Sequence, residues 1–162
     1  MAITMNIKGL AEISEQLEQL GEKAQSVAAF GLYEGAGIMA DEIKHSAEGI
    51  KTEEFHYVVF PGAVMRDPSP EEKAIVLEAG VGIAKFNKNG SEVDTSVGYR
   101  NAGYAVLKGK TKPIPQIVNA INSGTSFMKK QPFVRKAASS GAKKAEAAIT
   151  KAIEQKFNEI IK

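Results

Sequence analysis

The stretch I-P-Q-I-V-N-A-I-N-S-G-T-S-F-M-K-K-Q-P-F-V-R-K-A, from Ile114 to Ala137, leads into one long helical pattern that ends at Ile161. After it, apolar residues recur every three or four positions, at Ala138, Ala142, Ala145, Ile149, Ile153, Phe157 and Ile160. This spacing puts them on one face of an α-helix. Residues 138–161 would then span roughly 36 Å at 1.5 Å per residue. Because glycine costs about 1 kcal/mol relative to alanine in a helix, we expect Gly141 to delay the regular helix to about Ala142.

The residues before this helix form a candidate partner-binding surface. Ser123 to Ser126 is a turn cluster. Pro132 prevents any helix upstream from continuing past residue 132. Two interpretations of the apolar residues between and after them are open. Phe133 and Val134 anchor the last helix to the core, or part of the apolar cluster is exposed and docks into a partner subunit. The candidate partner-binding residues are Phe127, Met128, Lys129, Lys130, Phe133 and Arg135.

The composition favours one globular domain over residues 1–162. The formal charge of +2 lacks the strong basic bias of a dedicated nucleic-acid binder. The sequence contains no cysteine, so a disulfide framework and a thiolate metal site are excluded. We see no secretory signal pattern and no apolar run long enough to cross a bilayer, so we expect no membrane partner.

The N-terminal third carries one strand pattern and two helix patterns. Alternation from Ile3 to Ile7 predicts a strand, and the spacing of Leu10, Ile13, Leu17 and Leu20 predicts a short helix. A longer helix, continuous or kinked, is predicted over residues 22–47, although Gly31, Gly35 and Gly37 each weaken it by about 1 kcal/mol. The alternative is a helix that breaks near Gly35 to Gly37. Small residues on one helix face let a second helix approach closely, and this packing can offset the low helix propensity of the glycines.

The middle of the chain reads as strands and short helices. Ser69-Pro70-Glu71-Glu72 combines a cap, a first-turn proline and first-turn acids, and predicts a helix that ends at Gly80. Asn89-Gly90 favours a hairpin turn. The remaining predictions are strands over residues 55–60, 81–86, 93–97 and 104–107, a basic connector over 109–115, and a helix over 114–121. The predicted fold class is α+β: a small, mainly antiparallel sheet with N-terminal helices and a long C-terminal helix packed on it.

The sequence offers no recognisable constellation for chemistry. His45 and His56 have no metal-ligand spacing. Gly109-Lys110-Thr111 lacks the upstream glycine of a phosphate loop, since that position is Tyr104. Adjacent acids such as Glu71 and Glu72 favour a helix start or a solvated surface. We therefore expect no enzyme activity, no cofactor and no metal.

The two ends of the chain resemble the gene-product-ten family of HK-type tailed phages. The N-terminal I-x-G-L-x-x-I-x-x-x-L pattern starts at Ile7, and a G-T-x-x-x-x-x-x-P-F-x-R-x-A pattern runs from Gly124 to Ala137. The second pattern is matched at Gly124, Thr125, Pro132, Phe133, Arg135 and Ala137. The middle departs from the family: its usual T-G-x-L-x-x-S sequence is replaced by Lys51 to Phe55, and an additional short helix is predicted between Pro61 and Gly80.

This resemblance implies a structural protein of the phage neck, involved in head–tail joining or tail completion. The implied partners are connector or stopper proteins and tail proteins, with a homo-oligomeric ring as a further expectation. The implied localisation is the virion, assembled in the bacterial host cytoplasm. An alternative is a nucleic-acid binding or packaging accessory, suggested by the basic residues of the last third. These are Lys108, Lys110, Lys112, Lys129, Lys130, Arg135, Lys136, Lys143 and Lys144.

Overall fold

The fold is described from a computed structural model, which places residues 1–6, 23–52, 57–60, 63–90 and 92–161. The elements in chain order are β1 (Ala2–Asn6), α1 (Lys23–Glu48), β2 (Tyr57–Phe60), β3 (Ala63–Met65), α2 (Pro70–Glu78), β4 (Gly82–Ile83), β5 (Asn87–Asn89), β6 (Glu92–Gly98), β7 (Tyr104–Leu107), β8 (Lys110–Pro113), α3 (Ile114–Ser123) and α4 (Phe133–Ile161). The predicted helix over Leu10 to Leu20 and the residue His56 lie outside this described part.

The strands form small antiparallel sheets, which confirms the predicted α+β class. Strand β6 is central: β1 and β4 lie on its two sides, and β5 also pairs with it. In this register Ile3 faces Val97, and the β5–β6 hairpin confirms the turn predicted at Asn89-Gly90. Strands β2 and β3 form one separate hairpin, and β7 and β8 form another.

The two long helices, α1 and α4, pack against each other along much of their length. Helix α1 is continuous through its three glycines, as predicted. A Cβ atom built at Gly31 would lie 2.6 Å from Ile153 Cγ1, and one at Gly35 would lie 2.5 Å from Ile149 Cγ1. These positions must stay small because the α4 side chains fill the space that a Cβ would need.

Helix α4 begins earlier than expected. It starts at Phe133, directly after Pro132, and not near Ala142. The expected delay at Gly141 is wrong because that glycine lies inside the helix pair, where an added Cβ would lie 2.8 Å from Met39 Sδ. Burial against α1 therefore outweighs the low helix propensity of glycine at this position.

The core lies between the helices and the sheet. Helix α1 contacts β6 as well as α4, and α4 also contacts β1. Core side chains that are at most 1 % exposed include Leu32, Ala36, Ile43, Val76, Val97, Tyr99, Val118, Ile121, Val134 and Ala137. Helix α3 contributes Ile117, Val118 and Ile121 at helical spacing, as its sequence pattern predicted.

Two strands differ from the sequence prediction. The strand expected over 81–86 is reduced to Gly82–Ile83. The connector expected over 109–115 instead contains β8, which pairs with β7 from Leu107–Lys110 to Tyr104–Pro113. The turn between them places Lys108 at φ 50° and Gly109 at φ 73°. A lysine is rare at such a φ. Of the Asn-Gly or Asp-Gly pair that usually marks such a turn, the sequence therefore has only the glycine.

Candidate partner-binding surface

The loop over residues 124–132 connects α3 to α4 and holds most of the predicted partner-binding residues. It begins at Gly124, whose φ of 77° is one that glycine adopts without steric cost. The Gly124 amide donates to the Ala120 carbonyl and closes the end of α3 at 2.9 Å. The Thr125 amide then donates to the Met128 carbonyl at 2.9 Å, so the loop folds back on itself.

A second set of hydrogen bonds ties the loop to the segment after β3. The Arg66 amide donates to the Phe127 carbonyl at 2.9 Å, and the Lys129 amide donates to the Arg66 carbonyl at 3.0 Å. The two bonds make a parallel bridge between Arg66 and Met128. The backbone on both sides of Met128, including the Phe127 carbonyl, is therefore fixed by bonds to a distant part of the chain.

Gln131 provides a third attachment. Its side-chain amide donates to the Lys51 carbonyl and accepts from the Lys51 amide, both at 2.8 Å. Its backbone amide donates to the Ile121 carbonyl at 2.7 Å. The side-chain amide also lies 3.3 Å from Asp67 Oδ1. The end of the loop is thus held against both the end of α1 and the end of α3.

A partly buried ion pair holds the Arg66 side chain. The Arg66 guanidinium donates two hydrogen bonds of 2.6 Å to the Glu72 carboxylate, whose side chain is 6 % exposed. Glu72 also accepts from the Ser69 amide at 2.7 Å, and its own amide donates to Ser69 Oγ, which completes a capping box at α2. Burial opposes ionisation of Glu72, but these hydrogen bonds outweigh it and the pKa of Glu72 lies below its ordinary value.

The structure divides the six predicted residues into two groups. Met128 and Phe133 are 3 % and 2 % exposed and belong to the core. Phe133 meets the Tyr99 ring edge to face at a centroid distance of 6.2 Å, and Val134 is equally buried. The anchoring interpretation therefore describes the start of α4.

Phe127 behaves differently from these neighbours, since it is 56 % exposed at the outer edge of the hydrogen-bonded loop. Lys129, Lys130 and Arg135 are exposed as well. The accessible part of the predicted surface is therefore one aromatic ring with three basic residues close to it in the chain.

The sequence reasoning did not single out the β7–β8 hairpin as a surface. Tyr104 and Val106 are 72 % and 63 % exposed, while Leu107 is buried. Because successive strand residues point to opposite faces, Tyr104 and Val106 are expected on one face of β7, and Ala105 and Leu107 on the other. This alternation did not reveal which of the two faces would be buried, because both are apolar.

The basic residues of the last third are spread over three elements. Three lysines lie on the hairpin, two in the loop, and the others on α4. Lys144 on α4 pairs with Glu42 of α1 at 2.5 Å. The basic residues that the sequence groups together therefore belong to three different elements, and one of them, Lys144, is already paired with an acid.

A shallow cleft of about 230 Å³ lies beside Gln131, lined also by His45, Ser46, Phe133 and Lys136. That volume is below the roughly 300–1,000 Å³ of small-molecule sites. His45 lies 3.3 Å from Glu48 and its side chain is 83 % exposed. Within the described ranges, no three His, Asp or Glu side chains come together as a metal site. Among the same residues, no helix is both long and apolar enough to span a bilayer.

Comparisons with known proteins add no relative. A scan against protein-family models, a search of curated proteins and a search of solved structures each returned no match.

Proposed function

We propose that this protein is a non-catalytic structural protein of a tailed phage or prophage, which joins the head connector to the tail through protein–protein contacts. The proposal rests on the pattern from Gly124 to Ala137, which resembles a phage neck family. One observation from the structure supports it: the 124–132 part of this segment is a loop that is held by three sets of hydrogen bonds and leaves Phe127 exposed. Exposed aromatic residues are typical anchors of protein interfaces.

The rigidity of the loop bears directly on this role. A surface that is ordered before binding loses less conformational entropy when a partner binds. The bonds from Arg66 and Gln131 hold the backbone around Phe127 without using its side chain. The backbone that carries the Phe127 ring and Lys130 is thus ordered before binding, which suits a partner with an apolar pocket and an acidic rim.

The test is assembly in the host that carries the gene. Deletion of the gene should leave filled heads and separate tails in the lysate, visible by electron microscopy. Phe127→Ser should lower the yield of infectious particles without unfolding the protein, because the ring is mostly exposed. Leu77→Ser is the matched control, since Leu77 is 42 % exposed on α2. Normal infectious particles from the deletion strain would overturn the proposal.

A nucleic-acid binding role is the second candidate, and one observation favours it. The segment from Tyr104 to Pro113 carries three exposed lysines and no acidic residue. If these lysines contact three phosphates, the logarithm of the duplex DNA binding constant should fall with the logarithm of salt concentration at a slope of about −3. No binding at about 50 mM salt would end this alternative.

A further inference from the structure

Glu72 lies in the first turn of α2, where the backbone around it fixes its carboxylate. The carboxylate accepts from the Ser69 amide at 2.7 Å, and the Glu72 amide donates to Ser69 Oγ at 3.1 Å. Four residues further on, Val76 is fully buried, and α2 contacts α1, α3 and β7. The rest of the fold therefore sets the position of this carboxylate.

Arg66 joins the Glu72 carboxylate to the 124–132 loop. Its guanidinium donates two hydrogen bonds of 2.6 Å to Glu72. Its backbone amide donates to the Phe127 carbonyl, and its carbonyl accepts from the Lys129 amide. A bidentate pair of charged hydrogen bonds is both strong and geometrically specific, so it fixes the direction of the Arg66 side chain. One residue thus links the first turn of α2 to the backbone of the loop.

The chain before Arg66 has weaker support than the chain after it. Strand β3 ends at Met65 and pairs, among the described strands, with β2 alone. Such a two-stranded hairpin is marginally stable without further packing. On the other side of Arg66, Pro68 is buried. Loss of the ion pair should therefore release Arg66 and its bridge to Met128, while α2 stays in place.

The two ends of the loop have attachments that do not involve Arg66. The Gly124 amide donates to the Ala120 carbonyl, and the Gln131 amide donates to the Ile121 carbonyl, so both ends are bonded to α3. Phe127 lies between these ends, in the part that bonds to Arg66. Its position therefore depends on the bridge more than the positions of the loop ends do.

We infer that Glu72 is a positioning residue for the exposed Phe127 ring and that it acts through Arg66 from a different element of the fold. With the ion pair intact, Arg66 holds the middle of the loop in one arrangement. Without the charge on Glu72, the bridge opens locally and Phe127 is no longer held in one place, although the fold persists. The importance of this coupling for assembly rests on the proposed function, whereas the coupling itself is a property of the purified protein.

Hydrogen exchange of individual amides, followed by nuclear magnetic resonance, tests the coupling. The Arg66 and Lys129 amides donate across the bridge and are the reporters, and the Gly124 and Gln131 amides are internal controls in or beside the same loop. In Glu72→Gln, the reporter amides should exchange about tenfold faster relative to the control amides than they do in the native protein. An equal change at all four amides would show general destabilisation and would overturn the inference, as would no change at the reporters.

A double variant separates positioning from overall stability. Glu72→Gln alone leaves the partly buried Arg66 charge without its partner, which destabilises the whole fold. Arg66→Met/Glu72→Gln removes that charge, and a glutamine at the third helical position can still complete the capping box with Ser69. The double variant should therefore unfold at a higher urea concentration than Glu72→Gln, yet keep the fast exchange of the Lys129 amide. Slow exchange that returns together with stability would contradict the positioning role.

Glu42→Gln is the matched control variant. It makes the same substitution at an acid that also pairs with a basic residue and whose side chain is 15 % exposed. Glu42 bonds to Ser140 and Lys144 of α4, so its loss should leave the ratio of reporter to control exchange unchanged. A shift in this ratio as large as that in Glu72→Gln would overturn the inference.

The yield of infectious particles separates this inference from the proposed function. If Glu72→Gln loosens the bridge and lowers the yield as Phe127→Ser does, both stand. If it loosens the bridge and the yield stays normal, the positioning role stands and the proposed use of Phe127 is wrong. If the reporter amides are unchanged, the positioning role is wrong whatever the yield.

Discussion

The close approach of α1 and α4 predicts that two alanine substitutions, two residues apart in one helix, change stability in opposite directions. At Gly35 an alanine Cβ would lie 2.5 Å from Ile149 Cγ1, 2.7 Å from Ile149 Cδ1 and 3.3 Å from the Ala145 carbonyl. The first distance is about 1 Å shorter than a comfortable carbon–carbon contact. At Gly37 an alanine Cβ would meet nothing within 4 Å.

The magnitude follows from two effects. Replacing glycine by alanine inside a helix stabilises the fold by about 1 kcal/mol at either position. At Gly35 the clash with Ile149 adds an overpacking cost of about 1–3 kcal/mol. Gly37→Ala should therefore raise the free energy of unfolding by about 1 kcal/mol, and Gly35→Ala should lower it by up to about 2 kcal/mol.

Urea denaturation followed by circular dichroism at 222 nm measures both changes. The same comparison in thermal unfolding should show a shift of about 2–4 °C per kcal/mol. A double-mutant cycle identifies the cause: in an Ile149→Ala background the two clashing atoms are gone, so Gly35→Ala should become stabilising. Equal effects at Gly35 and Gly37, or an unchanged effect of Gly35→Ala after truncation of Ile149, would refute the close-packing argument.

Three other predictions follow from the same structure. The pKa of Glu72 is lowered in the folded state, so its ionised carboxylate stabilises the fold fully above its ordinary pKa, and this stabilisation is lost as the pH falls through the folded pKa. Glu72→Gln leaves the Arg66 charge without its partner and should lower the free energy of unfolding by up to about 3 kcal/mol at pH 7. In urea titrations, the variant should also lose less stability than the native protein as the pH is lowered. The buried Asn122 side chain accepts a hydrogen bond from the Val134 amide at 3.1 Å at the start of α4, so Asn122→Ala should lower the free energy of unfolding by about 1 kcal/mol. An unchanged melting temperature would contradict this role. Burial raises the pKa of Tyr99 to about 12, so its phenol ionises at a lower pH in the unfolded chain than in the folded one, and stability should fall above about pH 10. Tyr99→Phe should reduce this loss of stability, as measured by urea titrations at several alkaline pH values.

The long periodic segments were predictable because many residues in each of them support the same helical spacing. The α4 stripe repeats every three or four positions over several turns, so a single unfavourable glycine does not change the outcome. Its starting point was not predictable in the same way. Whether Gly141 ends or permits a helix depends on Met39 of α1, a contact that no local pattern contains.

Exposure within the partner-binding loop shows a second limit of sequence reasoning. Phe127 and Phe133 are the same residue type within one short basic and apolar segment, yet one is 56 % and the other 2 % exposed. Phe133 starts α4 and turns inward toward Tyr99, whereas the backbone of Phe127 is bonded to Arg66 with its ring directed outward. This difference arises from a pairing between residues about sixty positions apart, so the sequence alone leaves both interpretations open.

The two accessible surfaces, the 124–132 loop and the β7–β8 hairpin, differ in how the fold supports them. Helix α3 separates them, with the hairpin at its first residue and the loop after its last, about 15 Å apart at 1.5 Å per residue. Backbone bonds tie the loop to Arg66 and to Ile121 at the end of α3, and the Gln131 side chain ties it to Lys51. The described hairpin strands instead pair only with each other and pack on the core through Leu107 and Ala105. A two-stranded hairpin is marginally stable without further packing, so a partner that covers Tyr104 and Val106 would stabilise it. The backbone of the loop is therefore fixed by more attachments to the rest of the fold than the backbone of the hairpin.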